Sequence, residues 1–264
     1  MYRRFIALLL LIVLSSSASL STAQQGLQTG TCEQIYTDFG VSIVSESTRD
    51  FDIYECATLY AIFKALPAHI RSAVTQIKRL PRDPDAAGRA YGSYIELYDG
   101  LNCDTIPNCK DFMVVVFHEI AHVAHFRVFT PQQVQAYRQL YRRSGSEPGN
   151  FIGPLLRGRR YATTNEYEDF AELFAAYTED SNRVVNFVRE RLSKNETILF
   201  EKLKILLAVL MGQSQPTSVL IYRSEVWDGA MPDGGFRGVV RRALLPVDAQ
   251  GLPLIPAEPD WEDF

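Results

Sequence analysis

The stretch Val114-Val115-Val116-Phe117-His118-Glu119-Ile120-Ala121-His122-Val123-Ala124-His125 is an apolar run that contains three histidines and one glutamate. On an α-helix, with about 100° of rotation and about 1.5 Å of rise per residue, His118 and His122 lie about 40° apart on one face and about 6 Å apart along the axis. Their two imidazoles can therefore bind one metal ion. Glu119 could accept a proton from a water molecule on that ion, which makes it the candidate general base.

The alternative interpretation is that the two histidines are ordinary core residues on an apolar helix. The flanking residues argue against it, because a charged Glu119 buried between Val116 and Val123 is costly unless it has a partner such as a metal-bound water. The motif therefore predicts a metal centre that holds one Zn²⁺ per chain.

The amino terminus has the pattern of a secretory signal peptide. Arg3 and Arg4 precede ten apolar residues at 5–14, and small and polar residues follow as far as Ala23. Ten apolar residues are too few to span a bilayer of about 30 Å, so we expect no stable membrane anchor. Residues 1–23 are the predicted signal peptide, and the predicted location is secreted or periplasmic.

The charge of the chain argues against a nucleic-acid partner. The whole chain has 27 basic and 31 acidic residues, and removal of the signal peptide takes away two arginines and no acid. The remaining 241 residues therefore carry a net charge of −6 and are enough to form a large core. The sequence does not indicate the oligomeric state.

Four cysteines, Cys32, Cys56, Cys103 and Cys109, contain no Cys-x-x-Cys pair. An even number of cysteines in an exported chain indicates disulfides rather than a second metal site. Three connectivities are possible, and we favour Cys32–Cys56 with Cys103–Cys109. The second pair closes a short loop just before the metal-binding helix.

Hydrophobic periodicity and the positions of glycine, proline and helix-capping residues predict a mixed order of helices and strands. We expect strands at residues 41–44, 89–98 and 219–223, and the second of these could form the wall of a substrate cleft. A helix is expected at 54–66, and another from Pro67 with Ile70, Val74 and Ile77 on one face. Further helices are expected at 131–143, 165–177, 181–192 and 196–211.

Two histidines leave the metal site incomplete, since a catalytic zinc usually takes three protein ligands. A metzincin would have glycine three residues after His122 and histidine three residues later, whereas this chain has His125 and Val128. His125 itself lies about 10 Å along the axis from His118, too far to share the ion, so it is interpreted as a packing residue. The alternative is a carboxylate from a later helix.

Two blocks of the sequence resemble the catalytic domain of anthrax toxin lethal factor and its relatives. The first block is His118-Glu119-Ile120-Ala121-His122, and the second is Tyr161-Ala162-Thr163-Thr164-Asn165-Glu166-Tyr167-Glu168-Asp169-Phe170-Ala171-Glu172-Leu173-Phe174. In that family the second block reads Tyr-x-x-Thr-Asn-Glu-x-Glu-x-Phe-Ala-Glu-x-Phe. The likeness covers residues 112–178 and departs from the family at Ile120-Ala121, usually Phe-Gly, and at Asp169, usually aromatic.

The resemblance implies a role for each matching residue. The family's metal-binding glutamate falls on Glu168 and its catalytic tyrosine on Tyr161. Glu172, one turn after Glu168, is a candidate to accept a hydrogen bond from a ligand histidine, with a surface carboxylate as the alternative. If Glu168 is not the ligand, Glu166 and Glu172 are the alternatives.

These inferences lead to an α+β fold of the zincin metallopeptidase type, with a small sheet whose edge strand lies over the zinc helix and a mostly helical second lobe. The expected organisation is a catalytic domain at 24–213 and a C-terminal extension at 214–264 that packs on it or trails from it. The expected function is a secreted zinc endopeptidase with a protein or peptide substrate, and the resemblance would allow a toxin-like effector role. The alternative is a non-catalytic binding module stabilised by zinc.

Overall fold

A computed structural model describes residues 31–153, 161–213 and 215–264, and this part of the chain is a mixed α+β protein. The predicted signal peptide, residues 1–23, lies outside the described residues. The helices are α1 (Cys32–Phe39), α2 (Ile53–Ala65), α3 (Ala68–Arg71), α4 (Ile106–Arg127), α5 (Pro131–Ser144), α6 (Glu166–Glu179), α7 (Ser181–Ser193) and α8 (Ile198–Met211). The strands are β1 (Ser42–Ser45), β2 (Gln76–Leu80), β3 (Gly88–Tyr91), β4 (Tyr94–Tyr98), β5 (Ser218–Trp227), β6 (Arg237–Pro246) and β7 (Glu262–Asp263).

The first sheet has the strand order β1-β2-β4-β3, in which β1, β2 and β4 are parallel and β3 is antiparallel to β4. Ile77, Ile95 and Leu97 are fully buried side chains of this sheet and belong to the main hydrophobic core. Strand β3 lies at one edge and contacts α4. The sheet thus presents a strand edge beside the helix that carries the histidine motif.

The second sheet is antiparallel, with the order β5-β6-β7, and packs mainly against α2 and α6. Two hydrogen bonds tie it to those helices: the Gly238 amide donates to Thr58 Oγ1 at 2.9 Å, and the Tyr177 hydroxyl donates to the Leu220 carbonyl at 2.8 Å. Val219 and Val240 are buried in the same core as the first sheet. The proposed division of the chain at residue 213 stays a prediction.

Helix α4 begins where local signals place it. The Thr105 side chain accepts a hydrogen bond from the Asn108 amide at 3.3 Å, and Pro107 occupies the first turn. The Cys103–Cys109 disulfide joins the preceding loop to that first turn, and Cys32–Cys56 joins α1 to α2. Both predicted pairings are confirmed, and they are typical of proteins in oxidising compartments.

Helix α6 is fixed in place by an N-terminal cap and by a buried ion pair. The Asn165 side chain caps it by accepting hydrogen bonds from the amides of Tyr167 at 2.9 Å and Glu168 at 3.0 Å. One residue further, buried Asp169 pairs with buried Lys202 of α8 at 2.7 Å. Loss of one partner from such a pair typically destabilises a protein by about 3–5 kcal/mol, because the remaining charge is left uncompensated.

The predicted helix from Pro67 is wrong beyond its first turn. The chain forms only the short α3 and then enters β2 at Gln76. The spacing of Ile70, Val74 and Ile77 fits a helix, and the alternating pattern of β2 is masked because one of its buried residues is a charged arginine. Arg79 is fully buried because it pairs with buried Glu55 at 2.8 Å.

Two strand predictions also need correction. Residues 89–98 are a hairpin rather than one strand, because the chain turns at Gly92, whose φ of +62° favours glycine. The strand expected at 219–223 is longer, and its partner β6 was missed. Arg241 and Arg242 interrupt the apolar pattern of β6, whereas the strand is defined by pairing along its whole length with β5.

His125 is a packing residue, as expected. It is 3% exposed and lies among the rings of Phe129, Tyr167 and Phe170, with centroid distances of 4.6, 4.8 and 5.6 Å. Neither ring nitrogen hydrogen-bonds to a residue that the structure describes. Burial lowers the pKa of His125 to about 4 from an ordinary value of 6.5.

We therefore expect His125 to make the fold sensitive to acid. The pKa of His125 is lower in the folded state than in the unfolded state, so the unfolded state binds a proton first as the pH falls. The contribution of the neutral ring to stability is therefore complete above pH 6.5 and is lost as the pH falls towards 4. Between pH 7.5 and 5 the loss should be about 2 kcal/mol. The His125→Phe variant should lack this component. Urea unfolding of both proteins at several pH values in chelator measures it, and parallel curves would contradict the prediction.

Candidate metal centre

Helices α4 and α6 bring three potential ligand atoms together. His118 Nε2 lies 3.1 Å from His122 Nε2 and 3.0 Å from Glu168 Oε2, and His122 Nε2 lies 3.4 Å from the same oxygen. Together these residues offer two imidazole nitrogens and one carboxylate oxygen that could hold a metal ion. The two histidines lie close together because of helical spacing alone. The carboxylate of Glu168 lies beside them because α6 packs on α4.

Glu172 determines which nitrogen of His118 faces the cluster. Glu172 Oε1 lies 3.0 Å from His118 Nδ1, so the ring donates from Nδ1. A neutral His118 then presents an unprotonated Nε2 to the carboxylate oxygen of Glu168. Two lone pairs at 3.0 Å repel each other, and a positive charge at this point relieves the repulsion.

The pKa values of His118 and Glu168 also indicate that the cluster favours a positive charge. Burial alone lowers the pKa of His118, but its hydrogen bonds with Glu168 and Glu172 outweigh burial and raise the pKa to about 9. Burial raises the pKa of Glu168, but hydrogen bonds with His118 and His122 bring it down to about 2. The cluster therefore attracts a proton or a metal ion to the same position.

The donor set and its spacing fit zinc. Zinc in proteins is usually tetrahedral, with bonds of about 2.0–2.1 Å to histidine nitrogen and carboxylate oxygen, so its ligand atoms lie about 3.3 Å apart. The three observed separations, 3.0, 3.1 and 3.4 Å, are close to that value. Three potential protein ligands also match the usual number in catalytic zinc sites.

Glu119 lies beside the cluster without belonging to the set of three donors. Its side chain is 5% exposed, and burial raises the pKa of its carboxyl group. It packs against the first residue of β3: a Cβ added to Gly88 would lie 2.9 Å from Glu119 Cγ and 3.0 Å from its Oε1. Glycine inside a strand often marks such a close approach. Gly88 thus leaves space for the Glu119 carboxylate.

Tyr161 stands at the opening of the site. It begins a short 3₁₀ turn, Tyr161–Thr163, that leads into α6 and places its ring 6.0 Å from the His118 ring, centroid to centroid. The side chain is 54% exposed. Burial of part of the phenol and the charge of Glu168 raise its pKa, so the hydroxyl stays protonated at neutral pH and can donate a hydrogen bond.

A cleft runs between β3 and α4 and passes over the cluster. It has two cavities, of about 410 and 370 Å³, which share Gly88, His118, Glu119 and Tyr161 as lining residues. His122 and Glu168 also line the larger cavity, and Glu172 lines the smaller one. The potential ligands are therefore accessible from the cleft.

All six residues predicted for the metal site and its chemistry come together here, namely His118, Glu119, His122, Tyr161, Glu168 and Glu172. The roles assigned to them stay predictions. Sequence reasoning missed Gly88 and the aromatic residues that line the larger cavity, Tyr91, Phe126 and Tyr167. A glycine at the start of an aromatic, β-branched run was the only signal for the first of these.

No family model matches the chain, and no curated protein was found to match it.

The third ligand can be tested by metal analysis. The Glu168→Ala variant should lose zinc, because two histidines remain. The Glu172→Ala variant should keep zinc with an affinity about 10- to 100-fold lower, the usual effect of removing a partner of a ligand histidine. Equilibrium titration against a chromophoric chelator measures both affinities, with one ion per chain expected for the unmodified protein.

The matched control for this titration is Glu166→Ala. Glu166 lies in the same first turn of α6, but it pairs with Arg138 at 2.9 Å rather than with a histidine. We expect this variant to bind zinc normally. Normal binding by Glu168→Ala would show that another acid is the ligand.

Proposed function

We propose that this protein is an exported zinc endopeptidase with a zincin-like fold. The observation that carries the proposal is the position of buried Glu119, next to a three-donor cluster and on the wall of an open cleft. Structural zinc sites usually have four protein ligands, and a neighbouring buried carboxylate has no purpose in them. The motif resemblance to the lethal factor catalytic domain supports the same assignment.

In this proposal His118, His122 and Glu168 hold one zinc ion. A bound zinc ion would supply Lewis-acid chemistry, lowering the pKa of water and polarising a carbonyl group. Glu172 keeps the Nδ1 proton on His118, so that Nε2 is free to act as the ligand.

Peptide hydrolysis then divides between two further side chains. Glu119 takes a proton from the attacking water and passes it to the nitrogen of the departing amine, so the carboxylate is regenerated in each cycle. The phenol of Tyr161 donates a hydrogen bond to the oxyanion that forms from the carbonyl group. The raised pKa of Tyr161 keeps that proton available.

The edge of β3 is suited to an extended peptide. In the described sheet β3 pairs with β4 on one side only, and its residues line the cleft beside the cluster. A peptide can bind such an edge through main-chain hydrogen bonds. The substrate is therefore a protein segment in extended form, and as the resemblance implies, an effector role against host or competitor proteins is our working proposal.

The disulfides support action outside the cytoplasm. Both disulfides belong to compartments where thiols are oxidised. In the part of the chain that the structure describes, no helix has the length and apolarity needed to cross a membrane.

The decisive experiment is incubation of the purified protein with a peptide library, with and without a chelator. Chelator-sensitive cleavage that returns when zinc is added would support the proposal. A zinc-loaded protein that cleaves no peptide would favour the zinc-stabilised binding module instead.

Two substitutions separate chemistry from binding. Glu119→Gln should keep zinc and lose turnover, since an amide cannot accept the proton. Tyr161→Phe should keep zinc and most substrate affinity while kcat falls about 10²- to 10³-fold, the usual effect of losing one oxyanion donor. Steady-state kinetics with metal analysis measures both, and a Tyr161→Phe enzyme with unchanged kcat would refute the role of the phenol.

Gly88 should matter through Glu119 alone. In Gly88→Ala the new methyl group would displace the Glu119 side chain, so kcat should fall about 10-fold or more while zinc binding persists. The matched control is Gly100→Ala, where the nearest atom to a new Cβ is Arg82 Nε at 3.8 Å, an ordinary contact. If both variants have the same kcat, the proposed contact has no role in catalysis.

A further inference from the structure

Large apolar side chains are concentrated at the rim of the cleft. Among the described residues, eight large apolar side chains are exposed. Three of them, Tyr91, Phe126 and Tyr161, line the same cavity beside the candidate metal-binding cluster. Exposed apolar residues are ordinary when scattered singly, whereas a cluster within a groove marks a binding site. Tyr161 already has a proposed role in chemistry, so Tyr91 and Phe126 need another explanation.

Tyr91 and Phe126 lie at one end of the cleft together with Tyr167. We name these three residues the aromatic arm. Phe126 is 50% exposed and Tyr91 43%. The rings of Phe126 and Tyr167 lie 5.6 Å apart, centroid to centroid. All three line the larger cavity, and none lines the smaller one, whose apolar residues include Val114 and Val115. The two ends of the cleft therefore differ in chemistry.

The positions of these residues set the distance between the arm and the cluster. Phe126 follows His122 by one helical turn, about 6 Å along the axis of α4. Tyr91 follows Gly88 by three residues of β3, which corresponds to about 10 Å of extended chain. Gly88 lies against Glu119. A peptide along β3 would thus place its second or third residue from the reacting bond beside the arm.

The direction of that peptide follows from the direction of β3. The strand runs from Gly88 beside Glu119 to Tyr91 in the arm. An antiparallel partner, the pairing that is slightly more stable per residue, runs the opposite way and enters at the arm. The residues beside the arm would then be those on the amino-terminal side of the bond that is cleaved.

We propose that the aromatic arm is a specificity site that binds an aromatic or large aliphatic side chain of the substrate, two or three residues before the cleaved bond. The inference rests on the proposed peptidase function and adds the class of peptide that the enzyme takes. Contact with the arm removes the exposed face of Phe126 from water, which is the source of the preference.

The test begins with cleavage of a randomised decapeptide library, which locates the preferred position. A pair of peptides is then made with Phe or Ala at that position. We expect kcat/KM for the Phe peptide to exceed that for the Ala peptide by about 10- to 100-fold. In Phe126→Ala this ratio should fall at least about fivefold with no loss of zinc, and Phe126→Leu should restore most of it.

Ile106→Ala is the matched control. Ile106 lies on the same helix and is 44% exposed, but it does not line either cavity of the cleft. Its removal should leave the Phe-to-Ala ratio unchanged. A library without enrichment at the second or third position, or a ratio that Phe126→Ala does not alter, would overturn the assignment of the arm.

A binding measurement keeps this inference separate from the peptidase proposal. The Glu119→Gln protein, loaded with zinc, is titrated into a second, fluorescently labelled pair of decapeptides that differ only by a central Phe or Ala, a pair that needs no prior cleavage. Tighter binding of the Phe peptide, lost in the Glu119→Gln, Phe126→Ala double variant, supports the arm even if the unmodified protein hydrolyses nothing. Equal Kd values for the two peptides overturn the arm, whether or not hydrolysis occurs.

Discussion

The central constraint on this structure is the close approach of three electron-rich atoms, two imidazole nitrogens and a carboxylate oxygen, within 3.4 Å of one another. Without a positive charge between them such an arrangement is repulsive. Glu119 and Glu172 are both buried nearby, and neither can supply a positive charge. A divalent cation would relieve this repulsion, whereas a single proton on His118 would relieve it only in part.

The surrounding structure is organised to hold this arrangement. Helix α4 carries both histidines, and α6 brings Glu168 and Glu172 to it. The Asn165 cap sets the start of α6, and the buried Asp169–Lys202 pair, next to Glu168, ties α6 to α8. Aromatic packing around His125 joins α4 to α6 on the other side of the motif. The three potential ligand atoms are thus positioned by groups that do not belong to the donor set.

Access to the cluster depends on the first sheet. Strand β3 is an edge strand, and its first residue has no side chain to obstruct Glu119. The same strand ends at Tyr91, so one short element borders both the proposed general base and the aromatic arm. An edge of this kind is normally protected, because its free main-chain groups pair readily with other chains. Here the free edge lies in the cleft, where pairing with a peptide would be productive.

The sequence by itself determined the parts that rest on local spacing. A spacing of four residues from His118 to His122 places both on one helical face wherever the helix lies. The caps at Thr105, Thr130 and Asn165 depend on groups within three residues. The likeness of the second block to a known family pointed to Glu168 before any contact was visible. The preferred disulfide pairing was also correct.

Only the tertiary structure decided the elements and contacts that join distant parts of the chain. Strand β2 exists because β1 and β4 pair with it, and its buried Arg79 is stable only because Glu55 of α2 neutralises it. Strand β6 is likewise defined by β5, and the fit of Gly88 against Glu119 needs a sheet edge packed on a helix. Helical spacing is a property of neighbouring residues, whereas strand pairing and cleft walls depend on which distant segments meet.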